Sequence, residues 1–587
     1  MAGVILENIS TKKLVAICFF LLGLSLASFI IGGSKVPQAV HAQTVGGTWC
    51  VSYGKNLDGW YPLRDPNVCL EKTKMESAAQ NKVRAEDIVF SFQYPLRRDN
   101  QNLKMSKWFM YHTTVLSFHI LYREGNELEY PAKVNMSVAV AYRDGSKGNK
   151  SSNWVLYFNS TVNRKLICTD PMQKADGYQY DCDFMDLFEV GNMQHEEYLI
   201  NIRLPPDNST GSNMKLGEID GIDLVWFAQT GGFTLYLWVL KTVCFAMLLP
   251  LTIWNWKRVV DLNRSPVFLE KLLLAVALSA LLLNFPVDWL MLVIELKFML
   301  LWSDIRQGIF LTILLAYWLV FTGEHMMDDV KRGGWSSYWK ELAVVILASS
   351  LMLIFDMCER GIKIVNPFFS LWSTREGETL GKAFIGVAMA AGIIYFLMLL
   401  VYIAKAIYNI WTKRRQFKSM AKGLRIHYMS IIYRFFFALL FSGVCCMLTV
   451  VAFTMGQVYE SQWKWNLDEY EEDGYVKYFE VNSAFQMGVY ATWNVYVMAM
   501  LIFYAPSHKL PLVSVSVIGE ENEENDEQVE LTRLDSDVGP RSRTYAASSI
   551  EQSDEYGDES VRLTTGRSVI TEGVSQMHTL SNRPIVD

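Results

Sequence analysis

Residues 14–33 read LVAICFFLLGLSLASFIIGG and residues 234–254 read TLYLWVLKTVCFAMLLPLTIW. Each run is close to the ~20 residues that an α-helix needs to cross a bilayer. Between them lies a long segment, 34–233, with the composition of an ordinary secreted domain. Beyond residue 254 six more apolar runs follow, at 272–294, 305–322, 342–356, 383–404, 435–455 and 485–505. The expected fold is a multi-pass α-helical membrane protein of eight spans, the last seven a receptor-like bundle, with an all-β domain after the first. Apolar residues make up 51% of the chain, which favours membrane integration over a string of soluble domains. The expected divisions are 1–13 as a cytosolic N-terminus, 14–33 as an anchor helix, 34–233 as a lumenal domain, 234–505 as the bundle and 506–587 as a cytosolic tail.

The first run follows Lys12 and Lys13 and precedes Val40-His41-Ala42, the layout of a signal peptide with a small-residue cleavage site. Its apolar core exceeds the ~7–15 residues of a signal peptide, and Pro37 and Gln38 intervene, so an uncleaved anchor is expected. Lysine and arginine resist translocation and set orientation. They gather before the first run, after the second (Lys257, Arg258, Arg264, Lys271), after the fourth (Lys331, Arg332, Lys340) and most densely after the sixth, from Lys405 to Arg434. Placing all four groups in the cytosol puts both termini inside and residues 34–233 in the lumen.

Two independent features agree with that placement. Glycosylation sequons fall in the same region at Asn135, Asn149, Asn159 and Asn208, although Asn8 and Asn263 match the pattern by chance elsewhere. Its cysteines are Cys50, Cys69, Cys168 and Cys182, an even set suited to an oxidising compartment. Four thiols allow three pairings; the shortest loops, Cys50 with Cys69 and Cys168 with Cys182, close most readily.

Within the domain, Val134, Met136, Val138, Val140 and Tyr142 alternate with smaller or polar residues, the period of a half-buried strand. Runs at 87–94, 115–122, 154–158, 198–204 and 219–227 read the same way, which points to a β-sandwich; residues 72–84 read as helical. After residue 504 the chain turns polar and acidic, as a disordered tail does.

Chemistry-bearing motifs are sparse. The chain lacks GxSxG, a P-loop, CxxC and HExxH, so no nucleophile, nucleotide, redox or zinc site is expected, and no cofactor or metal. Glu324, His325, Asp328 and Asp329 have helical metal-ligand spacing but read as helix-end charges. Asp304, Arg306, Asp356, Glu359 and Arg360 lie near lumenal helix ends, as structural or cargo-facing charges. Asp356 and Arg360, four apart, suit an intrahelical pair, whereas Asp304 and Arg306, two apart, need partners elsewhere. An intramembrane enzyme would have to use Asp288 with Asn284, which flank Pro286 and equally suit a capped kink. A signalling receptor is the main alternative. Against it, no Asp-Arg-Tyr follows the third bundle helix, and the one Asn-Pro pair, Asn366-Pro367, falls in a loop.

The strings DIRQGIF at 304–310, GEHMMD at 323–328, FDMCERG at 355–361 and YAPSHK at 504–509, with NIRLP at 201–205 and WKW at 463–465, resemble the Wntless family over residues 1–509. The resemblance implies a non-enzymatic carrier of palmitoleoylated Wnt proteins that moves through endoplasmic reticulum, Golgi, plasma membrane and endosomes. Its implied partners are Wnts, membrane lipids and the endocytic adaptor and retrieval machinery, with no nucleic acid. In this family a tyrosine signal supports retrieval, and Tyr428-Met429-Ser430-Ile431 fits it through Tyr428 and Ile431. Which helices line the acyl cavity is not legible. Two departures stand out: an acidic insertion at 468–473 that reads as a solvated loop, and an end, RPIVD at 583–587, without the lysine-containing return signal of vertebrate members.

Overall fold

The computed structural model describes residues 4–51, 60–62, 69–70, 87–95, 104–145, 154–171, 174–207, 211–262, 264–325, 335–371, 374–416, 422–465 and 472–507. The β domain is a sandwich of two antiparallel sheets. One takes the order β1 (Val40–Gly46), β12 (Glu218–Gln229), β5 (Met110–Leu121), β10 (Met185–Asn192). The other takes the order β3 (Cys69–Leu70), β2 (Thr48–Val51), β4 (Ile88–Tyr94), β11 (Glu197–Arg203), β6 (Ala132–Arg143), β7 (Val155–Leu166). A ribbon of β8 (Cys168–Thr169) and β9 (Asp181–Cys182) lies beside them. Alternation works as read: Val134, Met136, Val138 and Val140 are buried and meet Phe92, Leu116, Phe118 and Trp226 in the core. Cys50 is bonded to Cys69 and Cys168 to Cys182.

The expected strands lie within β4, β5, β6, β7, β11 and β12, but β7 is far longer than 154–158, because Asn159, Asn163, Arg164 and Lys165 on it face outward or are half-buried, where polarity carries no cost. Strands β1, β2 and β10 were not expected. In β10, MDLFEVGN, acidic and small residues mask a sheet position fixed by pairing with β5. The helical reading of 72–84 lies outside the described residues.

Among the described residues there are also eight long helices: α1 (Thr11–Ser34), α2 (Gly231–Val260), α3 (Phe268–Asn284), α4 (Met299–Glu324), α5 (Trp335–Lys363), α6 (Arg375–Gln416), α7 (Lys422–Trp465) and α8 (Glu472–Phe503). Among the described residues the first seven carry stretches long and apolar enough to cross a membrane. Helix α8 is less apolar for a physical reason. It packs among α1, α2, α3 and α7, so that Thr492 and Asn494 are buried by protein instead of lipid. There Asn284 Nδ2 donates to Asn494 Oδ1 (2.6 Å) and Tyr490 donates to Asn284 Oδ1 (2.9 Å).

Helix α1 is no isolated anchor. Its Gly32 lies against Ala484 and Met487 of α8, and a Cβ on Gly488 would overlap the ring of Phe29. Without a hydrophobic drive between helices in lipid, such small residues let backbones approach and gain dispersion contact. Strand β1 follows α1 and pairs with β12, which leads directly into α2, so two adjacent strands connect to two helices that both pack on α8. The crossing is tight: a Cβ on Gly231 would stand 2.7 Å from Trp108, and one on Gly232 2.6 Å from Pro37. Thr230 caps α2 by accepting from Phe233 N–H and donates its hydroxyl to Gln38 O.

Candidate functional site at the junction of sandwich and bundle

Helix α3 stops at Asn284 because Pro286 can neither donate to a further turn nor leave Phe285 helical. The chain continues as a 3₁₀ turn, Pro286–Leu292, which turns Asp288 inward. There Asp288 meets two cations. Arg306 Nη2 of α4 donates to Asp288 Oδ1 (2.7 Å) and Lys241 Nζ of α2 to Asp288 Oδ2 (3.1 Å). All three are buried, at 1% exposure for Arg306, 5% for Asp288 and 8% for Lys241. Arg306 Nη1 also donates to Phe285 O (3.1 Å), which accepts the Val287 N–H as well (2.8 Å).

Beside this triad the sandwich and bundle share an apolar seam. Trp108 packs tilted against Trp238 and edge-to-face against Trp289, with ring centroids 5.4 and 6.0 Å away, and Trp289 Nε1 donates to Thr242 (3.0 Å). A small crevice of about 20 Å³ opens here, walled by Tyr111 of β5 and by Trp238, Lys241, Asp288, Met291 and Leu300 of the bundle.

A second set of charges closes the other side. Arg360 donates to Asp304 (2.5 Å), joining α5 to α4, and Lys363 bridges Glu189 of β10 (2.6 Å) and Glu359 (3.0 Å). The loop after α5 then docks on the sandwich: Glu189 N–H donates to Pro367 O (3.1 Å) and Arg164 Nη2 to Phe368 O (2.6 Å). Phe368 enters the sandwich core edge-on to Phe158 and Phe188. Burial lowers the pKa of the Arg164 guanidinium from its ordinary value.

These contacts settle where the sequence-derived charges go. Asp304 and Arg306 find separate partners, in α5 and in the 3₁₀ turn. The expected Asp356–Arg360 pair is replaced: α4 presents the Asp304 carboxylate to the same guanidinium, and Arg360 reaches across to it, while Glu359 and Lys363 make the i,i+4 pair of α5. Asp288 and Asn284 do not form one polar pair, since the first belongs to the triad and the second to the network with Asn494 and Tyr490. His325 is held at the end of α4, donating from Nδ1 to Phe321 O (2.8 Å) and facing the Tyr504 hydroxyl at Nε2 (3.0 Å). Glu324 accepts from Tyr338 (2.8 Å), and Asp328 and Asp329 lie outside the described residues.

Ile431 is half-buried against the bundle core, while the side chain of Tyr428 and those of the 468–473 insertion lie outside the described residues. So do Asn149 and Asn208, whereas Asn135 and Asn159 sit on β6 and β7. Sequence reasoning missed Lys241 and Phe368. A lone lysine inside an apolar run was the available signal for the first; nothing local marks the second.

Fold and junction define a polytopic membrane protein whose extramembrane sandwich is locked onto its helical bundle. Residues 48–229 match the family described as Wntless, GOLD domain, and residues 230–508 that described as Wntless-like, transmembrane domain. The Protein wntless homolog of Homo sapiens is 38% identical over 514 residues, covering 87% of this chain and 92% of the relative. That of Gallus gallus is 37% identical over the same coverage, and Protein wntless of Drosophila erecta is 37% identical over 556 residues, 92% and 97% of the two chains. The chain belongs to the Wntless family, and so to the proteins of Wnt secretion and not to the enzymes.

Proposed function

We propose that the chain is a carrier that binds lipid-modified Wnt proteins in the secretory pathway, delivers them to the cell surface and is then retrieved by endocytosis. The observation that carries this reading is the seam where the sandwich and the apolar bundle join, with Tyr111 from the first and Trp238, Met291 and Leu300 from the second around a crevice that has room for about one water, so an acyl chain has to widen it. A cargo with a folded body and an acyl tail has two unlike surfaces, and this junction presents a β-sheet domain and an apolar bundle fixed together. Sheltering a fatty chain is worth about 0.8 kcal/mol per methylene, so a carrier must offer comparable apolar contact or the cargo stays in the bilayer. Two disulfides in the sandwich support its placement in an oxidising lumen, with the basic loops and both termini in the cytosol. Retrieval would use adaptors that read Tyr428 and Ile431; since Ile431 is half-buried, the start of α7 must loosen from the bundle for the signal to be read.

The test is co-purification of the full chain with wild-type Wnt and with Wnt whose acylated serine is replaced by alanine. The carrier reading expects at least tenfold lower recovery of the unacylated protein. Equal recovery of both defeats it. Leu300→Trp, which fills the crevice from its wall, is expected to lower recovery of acylated Wnt while leaving the sandwich folded.

A further inference from the structure

Strand β7 ends the six-stranded sheet, so among the described strands it pairs only with β6. It runs for 12 residues, against the ~5–6 of a typical strand, and Val155 and Leu156 on it are half exposed. A long edge with apolar side chains and a free row of N–H and C=O groups is a template for pairing with another chain, and stable proteins protect such edges. Near the middle of β7 stands Asn159, exposed, followed by Ser160 and Thr161. Its cross-strand neighbour is the small Ala139, and Thr161 lies opposite Ser137, so the outer face around it is open.

The sequon at Asn135 has a different setting. Asn135 lies on β6 under the turn that carries Asn213, whose Oδ1 accepts from the Asn135 N–H (2.9 Å) and whose Nδ2 donates to both Asn135 O (2.6 Å) and Pro205 O (2.7 Å). The Asn135 Oδ1 is itself buried. The Asn135 side chain is therefore partly covered, whereas that of Asn159 is exposed.

We infer that Asn159 carries an N-linked glycan that shields the free edge of β7, and that Asn135 carries none. Asn159 Nδ2 forms the new bond to the anomeric carbon of a lipid-pyrophosphate-linked oligosaccharide. The anomeric C–O bond breaks, the lipid pyrophosphate leaves with its electron pair, and the amide nitrogen gives up one proton. This inference rests on the lumenal placement of the sandwich.

The full chain, expressed in eukaryotic secretory cells, is digested with a peptide N-glycosidase in ¹⁸O-water, which leaves an ¹⁸O-labelled aspartate wherever a glycan stood, and its peptides are read by mass spectrometry. Label is expected at Asn159 and absent at Asn135. Label at Asn135, or at Asn149 or Asn208 without Asn159, overturns the inference while leaving the lumenal placement standing; no label at any of the four overturns both. For the shielding role, Asn159→Gln and Thr161→Val remove the sequon, while Thr161→Ser keeps it. Both sequon-less variants are expected to show several-fold more higher-order species on size exclusion in detergent, with Thr161→Ser matching wild type. Unchanged profiles in the two sequon-less variants refute shielding.

Discussion

Asp288→Asn tests the electrostatics of the junction most directly, because one carboxylate there serves two buried cations. The two side chains it binds are at most about a tenth exposed, Lys241 at 10% and Arg306 at 1%. Asparagine keeps the shape of Asp288 but removes its charge. Its carbonyl can still accept from Arg306, while its amide turns a donor toward the Lys241 ammonium, so one charge-assisted bond is lost outright and the other is weakened. Such bonds contribute about 1.5–3 kcal/mol each, and stripping one partner from a buried ion pair costs about 3–5 kcal/mol. The expected loss for Asp288→Asn is therefore about 3–5 kcal/mol. Lys241→Met gives the opposite expectation, since it removes the surplus cation, leaves the Asp288–Arg306 pair at 2.7 Å and adds an apolar side chain beside Trp238. It is expected to change stability by no more than about 1 kcal/mol, and it should recover part of the loss when combined with Asp288→Asn. The assay is thermal unfolding of the full chain in lipid nanodiscs, followed by tryptophan fluorescence and by loss of the monodisperse species. If Asp288→Asn melts with wild type, or if Lys241→Met is equally damaging, the carboxylate is not the group that neutralises this site.

Gly488→Val is expected to push Phe29 out of the α1–α8 seam, since even a Cβ at that position overlaps the ring, and overpacking costs about 1–3 kcal/mol. Cysteine cross-linking between α1 and α8 reads the loss, and Phe29→Ala should restore it; a wild-type cross-linking yield in Gly488→Val rejects the close approach. His112, fully buried among Tyr94, Trp226 and Phe188 in the sandwich, has its pKa pushed down to about 3 by desolvation. Its folded pKa is below the unfolded value, so the unfolded chain binds the proton first: stability is fully present above about pH 6.5 and is lost, by up to about 1.4 kcal/mol per pH unit, as pH falls toward 3. His112→Phe keeps the stacking without a titrating group, so its melting temperature should fall less than that of wild type between pH 7.5 and 5. Equal falls in both proteins would place the acid sensitivity elsewhere.

The parts legible in the chain share one property: their signal is local and repeats. A span is announced by its own ~20 apolar residues, and β6 by its own alternation, so both could be read before any neighbour was known. Helix α8 is the weakest such case: residues 485–505 still read as a span, although Thr492 and Asn494 dilute its apolarity, which the fold permits because other helices surround it.

The junction fails altogether as a local signal. Asp288 reads as a kink residue beside Pro286 until Lys241, 47 residues earlier, and Arg306, 18 residues later, are brought to it by packing. Arg360 has a carboxylate at helical spacing in its own sequence, yet it chooses Asp304, 56 residues away, because the pairing of α4 and α5 is decided by whole apolar faces and not by one ion pair. The same logic accounts for Phe368. An aromatic residue in a loop after Asn366-Pro367 looks exposed, but a long-range contact buries it in the sandwich core and thereby ties the end of α5 to β10. A device that couples two domains must draw residues from both, so its members are distant in sequence by construction. Local pattern therefore identifies the two parts of this protein, while the site between them becomes visible only when the parts are placed together.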